Sequence, residues 1–413
     1  MKRGKAEQQN KTAVPAKLAI RGPRPSAGYE SGETERVFAA DLVAWQRQHG
    51  RHDLPWQNTG DAYRIWLSEV MLQQTQVATV MPYYARFLER FPDVASLAAA
   101  DLDEVLRLWS GLGYYSRARN LHAAAKAVMT EHEGRFPDTR EALETLPGVG
   151  RSTAAAISAF AYGRREAILD GNVKRVLARC FAVAGYPGDK PVMDRLWSLA
   201  ESLLPDEGIE AYTQGLMDIG ATVCLRKPEC QRCPLRDHCK AYQHGNANDY
   251  PASRPKKEVR IRAVSMLVLM NEGKVLLARR PPTGVWANLW CFPELSEGSG
   301  MEAYCRDALG VELASTRALP PLRHVLTHFT MDISPTLGEV DKVLPGAAST
   351  DAQWVPLGEV NDWALPAPVR TLLSHVQGQA QKDLFHEQAG RPKIPSRVSG
   401  KPPSNQARKS GTK

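Results

Sequence analysis

Leu-Pro-Gly-Val-Gly, at residues 146–150, opens the stretch of sequence that decides the fold. It runs directly into an Ala-rich segment, Arg151 to Tyr162, whose apolar residues recur at helical spacing. Two glycines beside a proline predict a tight turn at a helix N-terminus. Unpaired N–H donors and the helix dipole suit that end to an anion, so we expect Gly148 and Gly150 to help bind DNA phosphate. A plain inter-helix turn is the alternative.

The same stretch continues with Ile-Leu-Asp-Gly-Asn-Val at residues 168–173, which places a carboxylate at the start of the next helix. Asp170 or Asn172 is positioned to cap that helix, and capping alone would explain the residue. A helix N-terminus also favours an ionised carboxylate. An ionised Asp beside a substrate could stabilise the oxocarbenium ion that forms when a glycosidic bond breaks. The turn and the Asp together resemble the helix-hairpin-helix superfamily that contains endonuclease III and adenine DNA glycosylase.

Residues 63–91 are predicted to form one helix, with a second acidic residue on its apolar face. Glu69 has apolar neighbours one turn before it and three residues after it, so burial should raise its pKa and keep it available as a general acid. An exposed Glu at the edge of the apolar stripe is the alternative. The run Ser-Glu-Val-Met-Leu-Gln-Gln-Thr-Gln-Val, residues 68–77, resembles the adenine DNA glycosylase family.

That resemblance implies roles for both acids. Glu69 would protonate adenine at N7 and then help to activate water, Asp170 would stabilise the sugar cation or form a transient adduct, and Asn172 would orient this carboxylate. Gln74 and Tyr114 resemble the residues that wedge into DNA at the flipped pair, although ordinary packing is the alternative for both. Four further positions match the surroundings of the adenine pocket: Arg51, Trp56, Leu72 and Gln214.

Ser152 separates two branches of this superfamily. In the endonuclease III branch, a Lys at this position attacks the sugar and cuts the strand. Serine cannot form a Schiff base. We therefore expect a monofunctional glycosylase that removes a base without efficient strand cleavage.

Four cysteines, Cys224, Cys230, Cys233 and Cys239, have the spacing C-x5-C-x2-C-x5-C. Four thiolates this close in a chain without other clustered cysteines indicate a metal site, either a [4Fe–4S] cluster or a tetrahedral zinc. The glycosylase family carries a [4Fe–4S] cluster here, with six residues in the first gap, where this chain has five. Basic residues in these loops would face the DNA backbone.

The residue pattern changes after about residue 260. Apolar residues at 264–270, 274–278 and 331–333 predict strands, with a turn at 271–273. Residues 261–376 resemble the Nudix-like domain of the same family, and the resemblance implies recognition of 8-oxoguanine. The aligned helix, 303–309, holds one acid where a Nudix hydrolase needs several to bind Mg²⁺, so we expect no hydrolase activity. Where the family reads the lesion with Phe-Ser-His, this chain has Leu326, Thr327 and His328; Thr327 keeps the hydroxyl, but Leu326 lacks the ring.

The predicted fold class is therefore a multidomain chain. An all-α helix-hairpin-helix glycosylase domain with an iron–sulfur cluster loop precedes an α+β Nudix-like domain. The predicted segments are a disordered basic tail at 1–34, the helical domain at 35–245 with its hairpin at 146–162 and its Cys cluster at 224–239, a linker at 246–260, the Nudix-like domain at 261–376 and a second basic tail at 377–413.

The formal net charge of +8 is concentrated in the two tails, which carry +4 (1–34) and +6 (378–413) and leave −2 between them. Such tails add weak affinity for nucleic acid or serve only solubility. No apolar run is long enough for a membrane span or a secretory signal, so we expect a cytoplasmic monomer, associated with the nucleoid when bound to DNA.

The sequence thus predicts a base excision repair enzyme acting on double-stranded DNA with A:8-oxoguanine or A:G mispairs. Two alternatives stay open. One is a bifunctional pyrimidine glycosylase and lyase of the endonuclease III kind. The other is a non-catalytic iron–sulfur DNA-binding protein in which Asp170 only caps a helix.

Overall fold

A computed structural model describes residues 33–255, 259–296, 298–344 and 351–390, with backbone alone at residue 34 and at 379–390. The chain divides into two compact units, Met1–Val259 and Arg260–Lys413. In the described residues, no helix has both the length and the apolar character that crossing a bilayer would require.

The first unit is helical throughout its described elements, as predicted. Its helices are α1 (Glu33–His49), α2 (Ala62–Leu72), α3 (Val77–Arg90), α4 (Val94–Ala99), α5 (Leu102–Trp109), α6 (Ser116–Glu131), α7 (Arg140–Glu144), α8 (Arg151–Tyr162), α9 (Gly171–Cys180), α10 (Lys190–Ser202), α11 (Ile209–Thr222) and α12 (Lys240–Gln243). The predicted apolar face of α9 is confirmed, because Val173, Val176, Leu177 and Cys180 are all buried in one core. Removing these side chains from water stabilises the unit and holds the start of α9 in a defined place.

The prediction of one helix over residues 63–91 is wrong. The chain leaves α2 after Leu72 and re-enters a helix only at Val77. Gln74 between them has φ +56°, in the left-handed region that a helix interior excludes. Residues 73–76 are all polar, but Val70, Val77 and Tyr84 keep the seven-residue spacing of one helix face, so the periodicity alone did not reveal the break.

The predicted linker, 246–260, begins too early. Ala247 and Tyr250 pack against the core of the helical unit. Their carbonyl oxygens accept hydrogen bonds from Arg179 Nε at 2.8 and 3.0 Å. Residues 246–250 therefore belong to the first unit.

The second unit is a mixed sheet with helices, as predicted. Its elements are β1 (Arg260–Asn271), β2 (Lys274–Arg279), β3 (Trp290–Cys291), β4 (Glu294–Leu295), α13 (Met301–Asp307), β5 (Val311–Ala318), β6 (Leu322–Val325), β7 (Phe329–Val343), β8 (Ala352–Pro356) and α14 (Ala367–Gly390). The main strand order is β3-β2-β1-β7-β5, and β1 runs parallel to β7. Strands β1 and β2 form a tight hairpin at the predicted turn, where Glu272 and Gly273 both have positive φ.

The two predicted tails fall mostly outside the described residues, which exclude 1–32 and 391–413. At the inner edge of each tail the structure differs from the predicted boundary. Helix α1 already begins at Glu33, and α14 runs on to Gly390, past the expected domain end at 376.

Candidate active site

The predicted turn at residues 146–150 joins α7 to α8. Leu146 and Val149 are buried, which anchors the turn to the helices. Gly148 has φ +78°, and a Cβ there would lie 2.7 Å from Cβ of Asn120, so both its conformation and its surroundings require glycine. Gly150 caps α8 with no side-chain hydrogen bond and faces open space. The first N–H groups of α8 are therefore left for an outside acceptor.

Ser152 lies in the first turn of α8. Its Oγ accepts a hydrogen bond of 2.9 Å from the backbone N–H of Leu169. Ser152 thus ties the hairpin to the residue immediately before Asp170. The side chain has a structural partner, in addition to lacking the amine that strand cleavage would need.

Asp170 is the N-cap of α9, which settles the choice between Asp170 and Asn172 as the capping residue. Its Oδ1 accepts a hydrogen bond of 2.8 Å from the Val173 N–H. Burial raises the pKa of Asp170, although hydrogen bonds from the backbone N–H groups of Val173 and Asn172 and the charges of Arg175 and Lys174 act in the opposite direction. The backbone N–H groups at the helix N-terminus favour the ionised carboxylate, as expected, but desolvation outweighs them and the pKa is raised on balance.

Asn172 contributes to this carboxyl through its backbone. Its side-chain Oδ1 accepts a hydrogen bond of 2.9 Å from Arg175 Nη2. The β-carbon of Asn172 also lies against Gly220 of α11. A Cβ added to Gly220 would lie only 2.5 Å from it. Asn172 thus fixes the packing of α9 on α11.

Glu69 lies on α2 at the wall of a cavity of about 500 Å³. It is half-buried, and desolvation raises its pKa to about 8, with a further contribution from the negative charge of Asp170. The raised pKa expected from its apolar neighbours is confirmed in direction. Because the charge of Asp170 acts on Glu69, residues a hundred positions apart in sequence share one electrostatic environment.

The cavity brings together the predicted pocket residues. Besides Glu69, its lining includes Arg51, Trp56, Leu72 and Gln214. Trp56 is itself held by Tyr84, with ring centroids 5.2 Å apart in an edge-on arrangement. Polar and charged side chains line this cavity alongside apolar ones such as Trp56 and Leu72, so a bound ligand could both pack against it and form hydrogen bonds.

Asp218, on α11, is a residue of this site that the sequence prediction missed. It is buried and accepts hydrogen bonds from Arg51 Nε (2.7 Å), the Arg51 backbone N–H (2.8 Å) and Gln214 Nε2 (2.7 Å). An acidic residue within a buried run of α11, four positions after a Gln, was the signal that could have revealed it.

The predicted wedge residues are Gln74 and Tyr114. Neither is a glycine, yet both lie in the left-handed region, with φ +56° and +48°. Such conformations persist only where the surroundings hold them. Tyr114 is exposed, as a residue that enters DNA must be.

Arg117 provides that support. Its buried guanidinium donates to the carbonyl oxygens of Val70 and Met71 at the end of α2, at 2.9 and 2.6 Å. It also donates to Thr75 Oγ1 (3.1 Å) and to the Gly113 carbonyl (3.3 Å). One side chain therefore joins the helix of Glu69 to both loops that carry the wedge residues.

We expect Arg117→Met to raise amide hydrogen exchange in residues 73–76 and 111–115 by roughly tenfold or more, because each buried carbonyl left without a donor costs about 1–3 kcal/mol. Hydrogen-exchange mass spectrometry of the full chain measures this. Arg107→Met, on an exposed arginine of α5, is the matched control and should leave both loops unchanged. Equal exchange in both variants would show that the loops hold their shape without Arg117.

The four predicted ligand cysteines line one cavity of the helical unit. Cys224 and Cys239 are buried, and burial raises the pKa of Cys233 to about 12. Among the described side chains, no three His, Cys, Asp or Glu are grouped closely enough to hold a single metal ion.

Buried Arg179 lies against this cavity. Its guanidinium donates to Cys224 Sγ (3.3 Å) and to backbone carbonyls, including that of Leu225 (2.6 Å), and no carboxylate is among its partners in the described part of the chain. A buried cation without a carboxylate suits a group of net negative charge, such as an iron–sulfur cluster held by four thiolates. The donor set and its charge therefore fit the cluster.

In the second unit, Leu326, Thr327 and His328 form the turn between β6 and β7. The turn closes with a hydrogen bond of 2.9 Å from the Leu326 N–H to the Phe329 carbonyl. Thr327 and His328 are exposed and Leu326 is half-buried. Val325, next to this turn, is 71% exposed and was not singled out by the sequence prediction.

Two family models match the chain. The model of the HhH-GPD superfamily of base excision DNA repair proteins matches residues 67–202, and that of the NUDIX domain matches residues 265–375. The first contains Glu69, Ser152 and Asp170, and the second contains the turn at 326–328.

Several curated proteins are similar along most of their length. The adenine DNA glycosylase of Buchnera aphidicola subsp. Baizongia pistaciae is 34% identical, over 83% of this chain and 98% of that protein. The adenine DNA glycosylase of Mus musculus is 33% identical, over 84% of this chain and 79% of that protein. Among solved structures, a thermostable thymine-DNA glycosylase is 30% identical with a TM-score of 0.46, over 51% of this chain and 98% of that one.

Proposed function

Because this chain belongs to the adenine DNA glycosylase family, we propose that it hydrolyses the N-glycosidic bond of adenine opposite 8-oxoguanine, and less efficiently opposite guanine, without cutting the strand. It is a base excision repair glycosylase. The observation that carries the finer proposal is the convergence of Glu69 and Asp170, since the pKa of Glu69 in its cavity is raised to about 8 by burial and, in part, by the negative charge of Asp170.

The two carboxyls would divide the chemistry. Glu69 gives its proton to N7 of the extruded adenine, and the C1′–N9 bond breaks with its electron pair passing to the base. Ionised Asp170 stabilises the positive charge left on the sugar. Water then adds to C1′ and returns a proton to Glu69, which restores the acid.

The remaining residues would bind the DNA. The free N–H groups at the start of α8, after Gly148 and Gly150, suit a phosphate oxygen. Gln74 and Tyr114 would fill the space left by the flipped adenine, whose ring then lies among Trp56, Leu72, Arg51 and Gln214. Thr327 and His328 would bind the lesion by hydrogen bonds, with Leu326 as an apolar contact in place of an aromatic ring.

A direct test uses the purified full chain with duplexes containing A:8-oxoguanine, A:G or an oxidised pyrimidine, each analysed with and without alkali. We expect adenine loss from the first two, fastest opposite 8-oxoguanine, with strand breaks only after alkali. Breaks without alkali, or excision of the pyrimidine alone, would favour the endonuclease III-like alternative.

We expect the rate of adenine excision to depend on pH through both carboxyls. Glu69 must be protonated, so the rate should fall about tenfold per pH unit above its pKa of about 8. Asp170 must be ionised and its pKa is raised by burial, so the rate should also fall on the acid side. Single-turnover rates on A:8-oxoguanine measure the profile, and a rate that keeps its maximum up to pH 10 would contradict a proton donated by Glu69.

We propose that Cys224, Cys230, Cys233 and Cys239 hold a [4Fe–4S] cluster, which when bound supports the loop that joins α11 to α12. The protein is then expected to be brown, to absorb at about 400 nm and to contain about four iron atoms per chain. Metal analysis of the purified protein checks this. One zinc and no iron would show that the five-residue first gap has changed the site.

A further inference from the structure

Buried Asp218 has no role in the chemistry proposed so far. From its contacts we propose, on the basis of the proposed function, that Asp218 determines which bases the cavity accepts by fixing the orientation of the Gln214 amide. Asp218 does not line the cavity itself, whereas both of its side-chain partners, Arg51 and Gln214, do.

The chemistry of the carboxylate decides the orientation. Asp218 forms an ion pair with Arg51, whose Nε lies 2.7 Å from Oδ1. An ionised carboxylate only accepts hydrogen bonds, so the atom of Gln214 that lies 2.7 Å from Oδ1 must be the donor, Nε2. Nε2 keeps one further N–H, but the acceptor that Gln214 can offer to a base is its carbonyl oxygen, held on the side away from Asp218.

An acceptor at this place selects among purines. Adenine presents a donor at position 6, the N6 amine, whereas hypoxanthine and guanine present an oxygen acceptor there. If the Gln214 oxygen met the O6 of such a purine, two acceptors would face each other with no proton between them. Both would be unpaired in a desolvated cavity, which disfavours the 6-oxo purines. Gln214 held in this orientation therefore favours adenine over hypoxanthine.

The surrounding backbone limits any rearrangement of Asp218. Its second oxygen, Oδ2, accepts the Arg51 backbone N–H at 2.8 Å. At Gly50, a Cβ would lie 2.9 Å from the same oxygen and 2.6 Å from the Gln46 carbonyl oxygen. The backbone at Gly50 and Arg51 is thus packed directly onto the carboxylate. Asp218 cannot turn away from Gln214 unless this backbone moves.

The test compares two substrates in one variant. Asp218→Asn keeps the shape of the side chain but adds a donor, which lets the Gln214 amide turn and present Nε2 to the base. Single-turnover excision is measured with adenine and with hypoxanthine, each opposite 8-oxoguanine. We expect the adenine-to-hypoxanthine rate ratio to fall by roughly tenfold or more, while the control Asp194→Asn, an exposed acid of α10, keeps the wild-type ratio.

A second variant protects against a folding defect. Gln214→Leu removes the amide and leaves the pair of Asp218 with Arg51 intact, and we expect it to lower the same ratio. Adding Asp218→Asn to Gln214→Leu should not change the ratio further, because Asp218 acts through the amide. A wild-type ratio in Asp218→Asn, or a further fall in the double variant, would overturn this role. Failure of the wild-type protein to excise adenine would instead reject the proposed function.

Discussion

Asp170→Asn is expected to lower the single-turnover rate of adenine excision by on the order of 10³-fold while duplex binding is largely retained. The reason is that the variant separates two roles of one residue. Asparagine is as good an N-cap as aspartate, so its side-chain oxygen can still accept the Val173 N–H and hold the start of α9. What is lost is the negative charge that would stabilise the sugar cation.

A matched control is available in the same unit. Asp101 caps α5 through a hydrogen bond of 2.7 Å from the Asp103 N–H and, unlike Asp170, does not contribute to the raised pKa of Glu69. Asp101→Asn makes the same chemical change at a helix N-terminus, and we expect it to leave excision unchanged. Full activity in Asp170→Asn would instead mean that this residue only caps a helix, as in the non-catalytic alternative.

Glu69→Gln is expected to lower excision by on the order of 10²–10⁴-fold, because glutamine has nearly the same volume but no proton to give. We expect the variant to fold, because burial already disfavours the ionised form of Glu69 and glutamine is a neutral amide. Single-turnover excision on A:8-oxoguanine, beside a binding measurement on the same duplex, checks both statements.

Glu131→Gln, at the exposed end of α6, is the control for Glu69→Gln and should behave as wild type. The variants of Glu69 and Asp170 can also be combined. Because both act on the same bond cleavage, Asp170→Asn added to Glu69→Gln should cost much less than the product of the single effects. Independent, fully multiplicative losses would argue that the two carboxyls do not serve one reaction.

How far a residue's role could be predicted depended on how local its cause is. The turn at Gly148 and Gly150 and the cap at Asp170 were predictable, because the conformations and hydrogen bonds involved lie within a few residues. The break between α2 and α3 was not, because Gln74 takes its left-handed conformation in a loop that Arg117, more than forty residues away, supports through Thr75.

Protonation states depended on the folded surroundings to different degrees. Apolar neighbours along α2 already indicated the raised pKa of Glu69, but the contribution of Asp170 arises only when α9 is brought close. For Asp170 itself, the sequence predicted the hydrogen bonds of its own helix, which favour the ionised form, but not the burial that raises its pKa on balance.

The sequence by itself determined the two-unit architecture, the hairpin, the capped carboxylate and the cysteine spacing, since these follow from steric and hydrogen-bonding preferences of neighbouring residues. Only the tertiary structure decided which groups share a cavity, how Asp218 orients Gln214 and how Arg117 joins two loops. Desolvation and charge interactions depend on distance in space, and residues such as Arg51 and Asp218, far apart along the chain, are only 2.7 Å apart at their polar atoms once the helices pack.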